Sequence, residues 1–328
     1  MKTFYSFILL TFFSISNSNA QFLKSLLELL QDNSYEKNIV EQSNIFFFDN
    51  ANGVNKIYDI GENGKLNTKT FDKGGLNKSW DQVFTYNSNS KTFAFFYDNG
   101  NGTIKIYNIS NGVLGTKTYD KSGLNKGWDI ITPIANNNGK YVLFYDKDSG
   151  VIKIYTLTSN GELGSKTYDK SGLNKNWFSI KAFETATSLY VSFYDKKNGV
   201  IKNYAIEEGK LGTKTYENTN INKGWNIINT YAVKGVNIIS FYSNNEGVYK
   251  SYVLTNDGKI GAKVYNKNIN SSWDIISPYA ISNNTYILFY DNGRGLSKTY
   301  MITEDGGLGT KIDENNALRK TWNIIDVY

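Results

Sequence analysis

The stretch Gly115-Thr116-Lys117-Thr118-Tyr119-Asp120-Lys121-Ser122-Gly123-Leu124-Asn125-Lys126-Gly127-Trp128 returns almost unchanged at 164–177. Looser copies end at Trp80, Trp225, Trp273 and Trp322, so all six tryptophans occupy one position of one repeat, 48 or 49 residues apart. A period of this length is read before any local pattern, because it makes the architecture a ring or stack of like units. The third copy shows the content of the unit: an aromatic run at 141–146, a turn ending at Gly150, a second run at 151–157, a turn at 159–161, a third run at 163–168, a loop at 169–175 and the Trp177 strand. Branched and aromatic runs divided by Gly, Asn and Asp predict four short strands per copy.

Four strands in each of six tandem copies, with only two prolines, predict an all-β chain: a six-bladed β-propeller of four-stranded blades over residues 45–328. The Asn136-Asn137-Asn138-Gly139 turn sits between the Trp128 strand and the next aromatic strand, so these two pair as a hairpin within one blade. The strand after Trp322 then completes the blade begun at 45–49 and closes the ring, which protects edges an open ring would expose. The rival grouping, with each copy a self-contained blade, stays open at this level.

Upstream of the repeat the pattern changes. Residues 1–20 read as a secretory signal peptide, with Lys2, an apolar run at 4–13 too short to span a bilayer, and small residues up to Ala20. Residues 21–44 read as a helical segment and linker, with Phe22, Leu23, Leu26, Leu27 and Leu30 on one face of a short amphipathic helix. Docking on the body is the simpler role for that helix, and self-association through 22–30 stays open. The chain is expected to be extracellular, with no integral membrane segment.

Cysteine and histidine are both absent, which removes thiol nucleophiles, histidine triads and the commonest zinc ligands together. The formal charge of +6 rests almost wholly on lysine, since Arg294 and Arg319 are the only arginines. Lysine suits diffuse attraction to anionic glycans and surfaces more than forked recognition. Nucleic acid is not expected as a partner, and no cofactor is expected. The Asp146-x-Asp148-x-Gly150 stretch has a calcium-loop flavour, but a turn capped by Asp or Ser explains that column with fewer assumptions, so no metal is expected either.

Three columns of the repeat carry residues a plain strand would not require. The first is Lys-x-Tyr on the second strand: Lys56 and Tyr58, Lys105 and Tyr107, Lys153 and Tyr155, Lys202 and Tyr204, Lys250 and Tyr252, Lys298 and Tyr300. The second is Lys-x-Tyr on the third strand, as in Lys117 and Tyr119 or Lys166 and Tyr168. Lys69 is followed there by Phe71, and Lys311 by Asp313. The third is Asn-Lys before Trp, as at Asn125 and Asn174, with Arg319 in the place of the asparagine in the last copy. These columns have a framework explanation, in which tyrosines wedge between blades and lysine stems cover them. Their chemistry also suits a sugar, whose ring face stacks on tyrosine and whose hydroxyls need amine and amide partners. The ligand-binding candidates are accordingly Lys105, Tyr107, Lys117, Tyr119, Asn125, Lys153, Tyr155, Lys166, Tyr168, Asn174, Lys202 and Tyr204. Sequons at Asn77, Asn101, Asn108, Asn270 and Asn283 are glycosylation candidates.

The loop Asp120-Lys121-Ser122-Gly123 before Trp128 is similar to the Asp-box of sialidase-type propellers, but sialidases use three arginines and this chain has two. In blade organisation, 45–328 resembles the six-bladed secreted lectins of the fungal fucose-binding type and, more distantly, tachylectin-like propellers. That resemblance implies sugar pockets between blades. The lectins' arginine position is met by Lys105 and its equivalents, and their glutamate falls near Thr116, which puts fucose specificity in doubt. The resulting expectation is a non-catalytic, multivalent carbohydrate-binding propeller whose partners are glycans or glycoproteins, anionic ones included. The alternative is an extracellular protein-binding scaffold. A hydrolase is disfavoured because Arg294, Asp313 and Arg319, the visible departures from the repeat, do not assemble an acid and base pair.

Overall fold

Each copy of the repeat contributes strands to two neighbouring blades, as the hairpin at 130–146 requires. The structure is a computed structural model and describes residues 44–136 and 139–328. The expected signal peptide and the helix at 22–30 lie outside the described residues. The chain enters the ring on β1 (Asn44–Asp49), β2 (Val54–Ile60) and β3 (Leu66–Lys73). Blade 2 is β4 (Gln82–Ser88), β5 (Lys91–Asp98), β6 (Thr103–Ser110) and β7 (Val113–Lys121). Blade 3 is β8 (Ile130–Asn136), β9 (Gly139–Asp146), β10 (Val151–Leu157) and β11 (Leu163–Lys170). Blade 4 is β12 (Trp177–Glu184), β13 (Leu189–Asp195), β14 (Val200–Glu207) and β15 (Lys210–Asn218). Blade 5 is β16 (Ile227–Val233), β17 (Val236–Ser243), β18 (Val248–Leu254) and β19 (Ile260–Asn268). Blade 6 is β20 (Ile275–Ile281), β21 (Asn284–Asp291), β22 (Leu296–Ile302) and β23 (Leu308–Asn315).

The last strand, β24 (Ile324–Val327), returns to blade 1 and pairs antiparallel with β1, Ile45 opposite Val327 and Phe48 opposite Ile324. Reciprocal backbone bonds between Asn44 and Tyr328, at 3.2 and 3.1 Å, seal the junction. The fold is therefore the six-bladed, four-stranded propeller expected, closed by its two ends. The innermost strands β4, β8, β12, β16, β20 and β24 each touch the next around the axis.

Burial grades outward across each blade, and the gradient explains the sequence pattern. The second strand of each blade is covered on both faces by its neighbours, so β13 (LYVSFYD) is buried at every position and reads as an unbroken apolar run. The outermost strands, such as β7, show mostly exposed residues. Between blades, the repeat tryptophan packs on a phenylalanine of the second strand, which packs edge-on against the tyrosine of the third. Trp128, Phe144 and Tyr155 meet at centroid distances of 5.4 and 5.5 Å.

Two further devices fasten the repeat. The tyrosine of the second strand reaches the loop ahead of the tryptophan: Tyr97 Oη donates to the Asn125 carbonyl at 2.8 Å, and Tyr145 and Tyr194 do the same to Asn174 and Asn222. The glycine of the first turn then meets that loop backbone to backbone. Leu124 N–H donates to Gly102 O at 2.9 Å, and a Cβ on Gly102, whose φ is +61°, would lie 2.0 Å from the Leu124 carbonyl oxygen.

Candidate functional site

Two regions draw attention for their chemistry: the grooves between blades and the ring around the axis. The grooves come first because the repeat builds them. A β-bulge interrupts the pairing of each outermost strand. Tyr107 lies opposite Lys117, while the adjacent Ile106 lies opposite Tyr119, with the register shift between them. Strict period two would place Lys117 and Tyr119 on one face, but the extra residue, Thr118, sends them to opposite faces. Thr118 uses the bulge to reach the next blade, its hydroxyl donating to Gly161 O at 3.0 Å. Tyr119 consequently packs with the Trp128 and Phe144 core of blade 3. Lys117 remains with Lys105 and Tyr107 on its own blade.

Each groove is thus walled by the outer tyrosine of one blade and by the tryptophan, lysine and inner tyrosine of the next. Between blades 5 and 6 this arrangement opens as a cavity of about 320 Å³ lined by Tyr265, Asn270, Trp273, Lys298 and Tyr300. Burial pushes the Tyr119 hydroxyl upward, helped by the Glu162 carboxylate and then by the neighbouring Tyr155, and burial with the neighbouring Tyr204 does the same to Tyr168. Burial likewise raises Tyr107 and Tyr155. The tyrosines of the predicted columns therefore do converge between blades.

The lysines are committed elsewhere. Lys105 and Lys117 share Asp120, Lys153 and Lys166 share Asp169, and Lys202 and Lys214 share Glu217. The hydrogen bond from Lys117 holds the Asp120 carboxyl below its ordinary range, and that from Lys166 does the same to Asp169. The asparagine column is equally occupied. Asn125 Oδ1 accepts from Lys126 N–H at 3.0 Å, and Asn174 bonds Asp195 through Nδ2 at 2.9 Å while accepting from Asn176 N–H at 3.1 Å. Of the sequons, Asn77, Asn101, Asn270 and Asn283 are exposed and Asn108 is half-buried. The Asn101 amide donates to Asp98 at 3.0 Å, and Asn108 Oδ1 accepts from Thr116 at 3.1 Å. The Asp146 carboxylate caps its turn by accepting from the backbone of Asp148 and Ser149 at 2.9 and 3.2 Å.

The axial ring is where the repeat is broken. Four residues after each tryptophan, the innermost strand carries Phe84, Thr132, Lys181, Asn229, Ser277 and Asp326 in turn. Two of the six are charged, of opposite sign, and they stand on blades 4 and 1, opposite one another across the axis. Asp326 accepts from both the backbone N–H and the hydroxyl of Thr85 on the neighbouring β4, at 2.6 and 2.7 Å. Burial nevertheless raises its pKa above the ordinary 3.8, and Thr85 and Lys181 only partly offset this. Burial lowers Lys181 below 10.5, with Asp326 pulling the other way. On the cross-strand neighbour of Lys181, the buried Ser192 hydroxyl has no hydrogen-bond partner among the described residues. A carboxyl with a raised pKa and an amine with a lowered one, each acting on the other, form an arrangement chemically able to take up and release protons.

The sequence reading passed over this pair because it ranked columns by what recurs. Aligning the copies on tryptophan exposes it, since a buried innermost position that tolerates Phe, Thr and Ser has no structural need for Lys in one copy and Asp in another.

No family model and no curated protein matches the chain. The likenesses are to solved structures. The Pseudomonas aeruginosa periplasmic gluconolactonase matches with a TM-score of 0.56 at 10% identity, over 84% of this chain and 80% of that one. A putative 6-phosphogluconolactonase from Bacteroides fragilis matches at 0.53 and 12%, over 90% and 100%. A functionally unknown protein from Desulfotomaculum acetoxidans matches at 0.56 and 11%, over 88% and 87%. At such identity these likenesses establish the propeller fold. The enzymes they name are lactone hydrolases, and this overturns the expectation of a non-catalytic lectin or scaffold and the kinship with fucose-binding lectins. The geometry supplies the physical reason. Lys105, Lys117, Lys153, Lys166, Lys202 and Lys214 are neutralised within their own blades, and Asn125 and Asn174 are tied into their loops, so each already has a partner inside the chain.

Proposed function

We propose that the protein is a hydrolase of small cyclic esters, a sugar lactone being the substrate class, with its reactive centre on the axial ring. The observation that carries this reading is the placing of Asp326 and Lys181, on blades 1 and 4, in one innermost column whose other members are uncharged, each felt electrostatically by the other. The lactonase names among the similar folds agree with it.

The chemistry follows from the two groups. Asp326, ionised, takes a proton from a water molecule as the water oxygen forms its bond to the lactone carbonyl. The Lys181 ammonium lies where it can stabilise the resulting oxyanion. Collapse breaks the bond between the acyl carbon and the ring oxygen, and the proton held by Asp326 passes to the departing alkoxide. The product is an open-chain hydroxy acid, and both side chains return to their starting states. Thr85 is a positioning residue, because its two donors fix the Asp326 carboxylate and keep part of its charge stabilised.

Turnover of glucono-δ-lactone and related aldonolactones by the full chain, corrected for spontaneous opening, tests the proposal. Hydrolysis above background that disappears in both Asp326→Asn and Lys181→Met is expected. A folded wild-type protein that opens no lactone in such a panel would sink it, as would activity that survives both substitutions.

A further inference from the structure

In five blades a pair of lysines converges on one carboxylate of the outermost strand: Asp72, Asp120, Asp169, Glu217 and Glu314. Blade 5 keeps the lysines and loses the acid. Lys250 stands opposite Asn266, and Lys263 opposite Tyr252, in the same bulged register that places Lys105 opposite Asp120 and Lys117 opposite Tyr107. Among the described residues no carboxylate pairs with Lys250 or Lys263, and both are at least partly open to solvent.

Lys250 has not been drawn away to another role. Its Nζ lies 5.4 Å from the Trp225 ring centroid, as Lys105 lies 5.8 Å from Trp80 and Lys153 5.6 Å from Trp128. Since blades 2 and 3 hold this cation–π contact and the carboxylate together, the contact does not replace the carboxylate in blade 5. Two lysines therefore occupy the register positions that elsewhere share an anion, beside an amide that can donate through Nδ2 where the others can only accept.

We infer that Lys250, Lys263 and Asn266 form a binding site on blade 5 for a tetrahedral oxyanion, phosphate or sulfate, supplied from outside the chain. A tetrahedral oxyanion offers several acceptor oxygens, enough to take a bond from each ammonium and from the amide, with charge assistance on two of them. The ion can be free or carried as a monoester on a larger ligand, with the Trp225 and Tyr252 rings beside it for the rest of such a ligand. The site is separate from the axial ring and stands or falls independently of lactone hydrolysis.

Titration of the full chain with sodium phosphate, sodium sulfate and glucose 6-phosphate, with glucose as control, followed by calorimetry or lysine side-chain NMR, tests it. One saturable site of weak affinity, on the order of millimolar, is expected in wild type. Lys263→Met should weaken it about tenfold, the equivalent of losing one charge-assisted bond. Asn266→Asp restores the internal acid and should abolish binding while leaving the fold as stable as its neighbours. Conversely, Asp169→Asn copies blade 5 into blade 3 and should raise the stoichiometry from one to two. Tighter binding of glucose 6-phosphate than of phosphate assigns the site to an ester, and equal binding assigns it to the free ion. No saturable binding, binding that persists in Asn266→Asp, or a stoichiometry unchanged in Asp169→Asn overturns the inference.

Discussion

The grooves between blades and the ring around the axis are built from the same repeat, yet they treat charge in opposite ways. In the grooves, every blade but the fifth neutralises its lysines locally at a half-open surface, where such pairs contribute little to stability. On the axis, Asp326 and Lys181 are separated to opposite blades and left under burial that works against both charges. A chain selected for stability alone would place Ser or Thr there, as blades 3 and 6 do with Thr132 and Ser277. The contrast is between a place where the molecule accepts an electrostatic cost, the site of the proposed chemistry, and places where it removes one.

Breaking the framework side should give the largest effect. Trp128→Ala removes an indole packed against Phe144 in the core shared by blades 2 and 3, and is expected to cost about 3–5 kcal/mol in urea unfolding. A cost below about 1 kcal/mol would mean that the tryptophan column is not the anchor described here.

On the functional side, Asp326→Asn should lower lactone turnover at least about a hundredfold, the lower end of what a general base contributes. Its unfolding midpoint at neutral pH should be unchanged or modestly lower, because the amide keeps an acceptor for Thr85 but leaves Lys181 without its opposing charge. A variant that loses activity only in proportion to lost fold would blur the contrast. Thr85→Val comes next. Without its hydroxyl the Asp326 carboxyl rises further, so the acid limb of the rate profile should shift to higher pH with a smaller loss at the optimum.

Stability against pH sharpens the same comparison. A carboxyl whose folded pKa is raised holds its proton more tightly when folded, so wild-type stability should fall as pH climbs from 3.8 to the raised value and then level off. Lys181, lowered on folding, acts with the other sign, and its contribution should grow as pH rises from the lowered value to 10.5. Urea unfolding across that range should show the acid-side fall in wild type and a diminished fall in Asp326→Asn. The groove pair gives the smallest effect: Asp169→Asn should leave the unfolding midpoint unchanged within error, since Asp169 and both its lysines are well exposed.

The sequence alone settled the size of the ring. Six copies of one four-strand unit cannot bury their aromatic faces singly, so the number of blades could be read from the tryptophan spacing, while the grouping of strands into blades and the closure of β24 on β1, one of two groupings the sequence left open, were decided by the structure. The sequence also showed which residues recur, but recurrence marks what every blade needs, and the lysine and asparagine columns do have partners within their own blades and loops. The side-chain directions were beyond it. A bulge at Thr118 and its equivalents reverses the faces of Lys117 and Tyr119, and a bulge leaves no mark in the alternation of residue types. Nor could linear order relate Lys181 to Asp326, because they lie 145 residues apart and come to bear on the same axis only when the ring closes. The local pattern determined the strands of each repeat, whose bonds lie within or beside it, while the candidate site depends on what faces the axis, which only the closed ring decides.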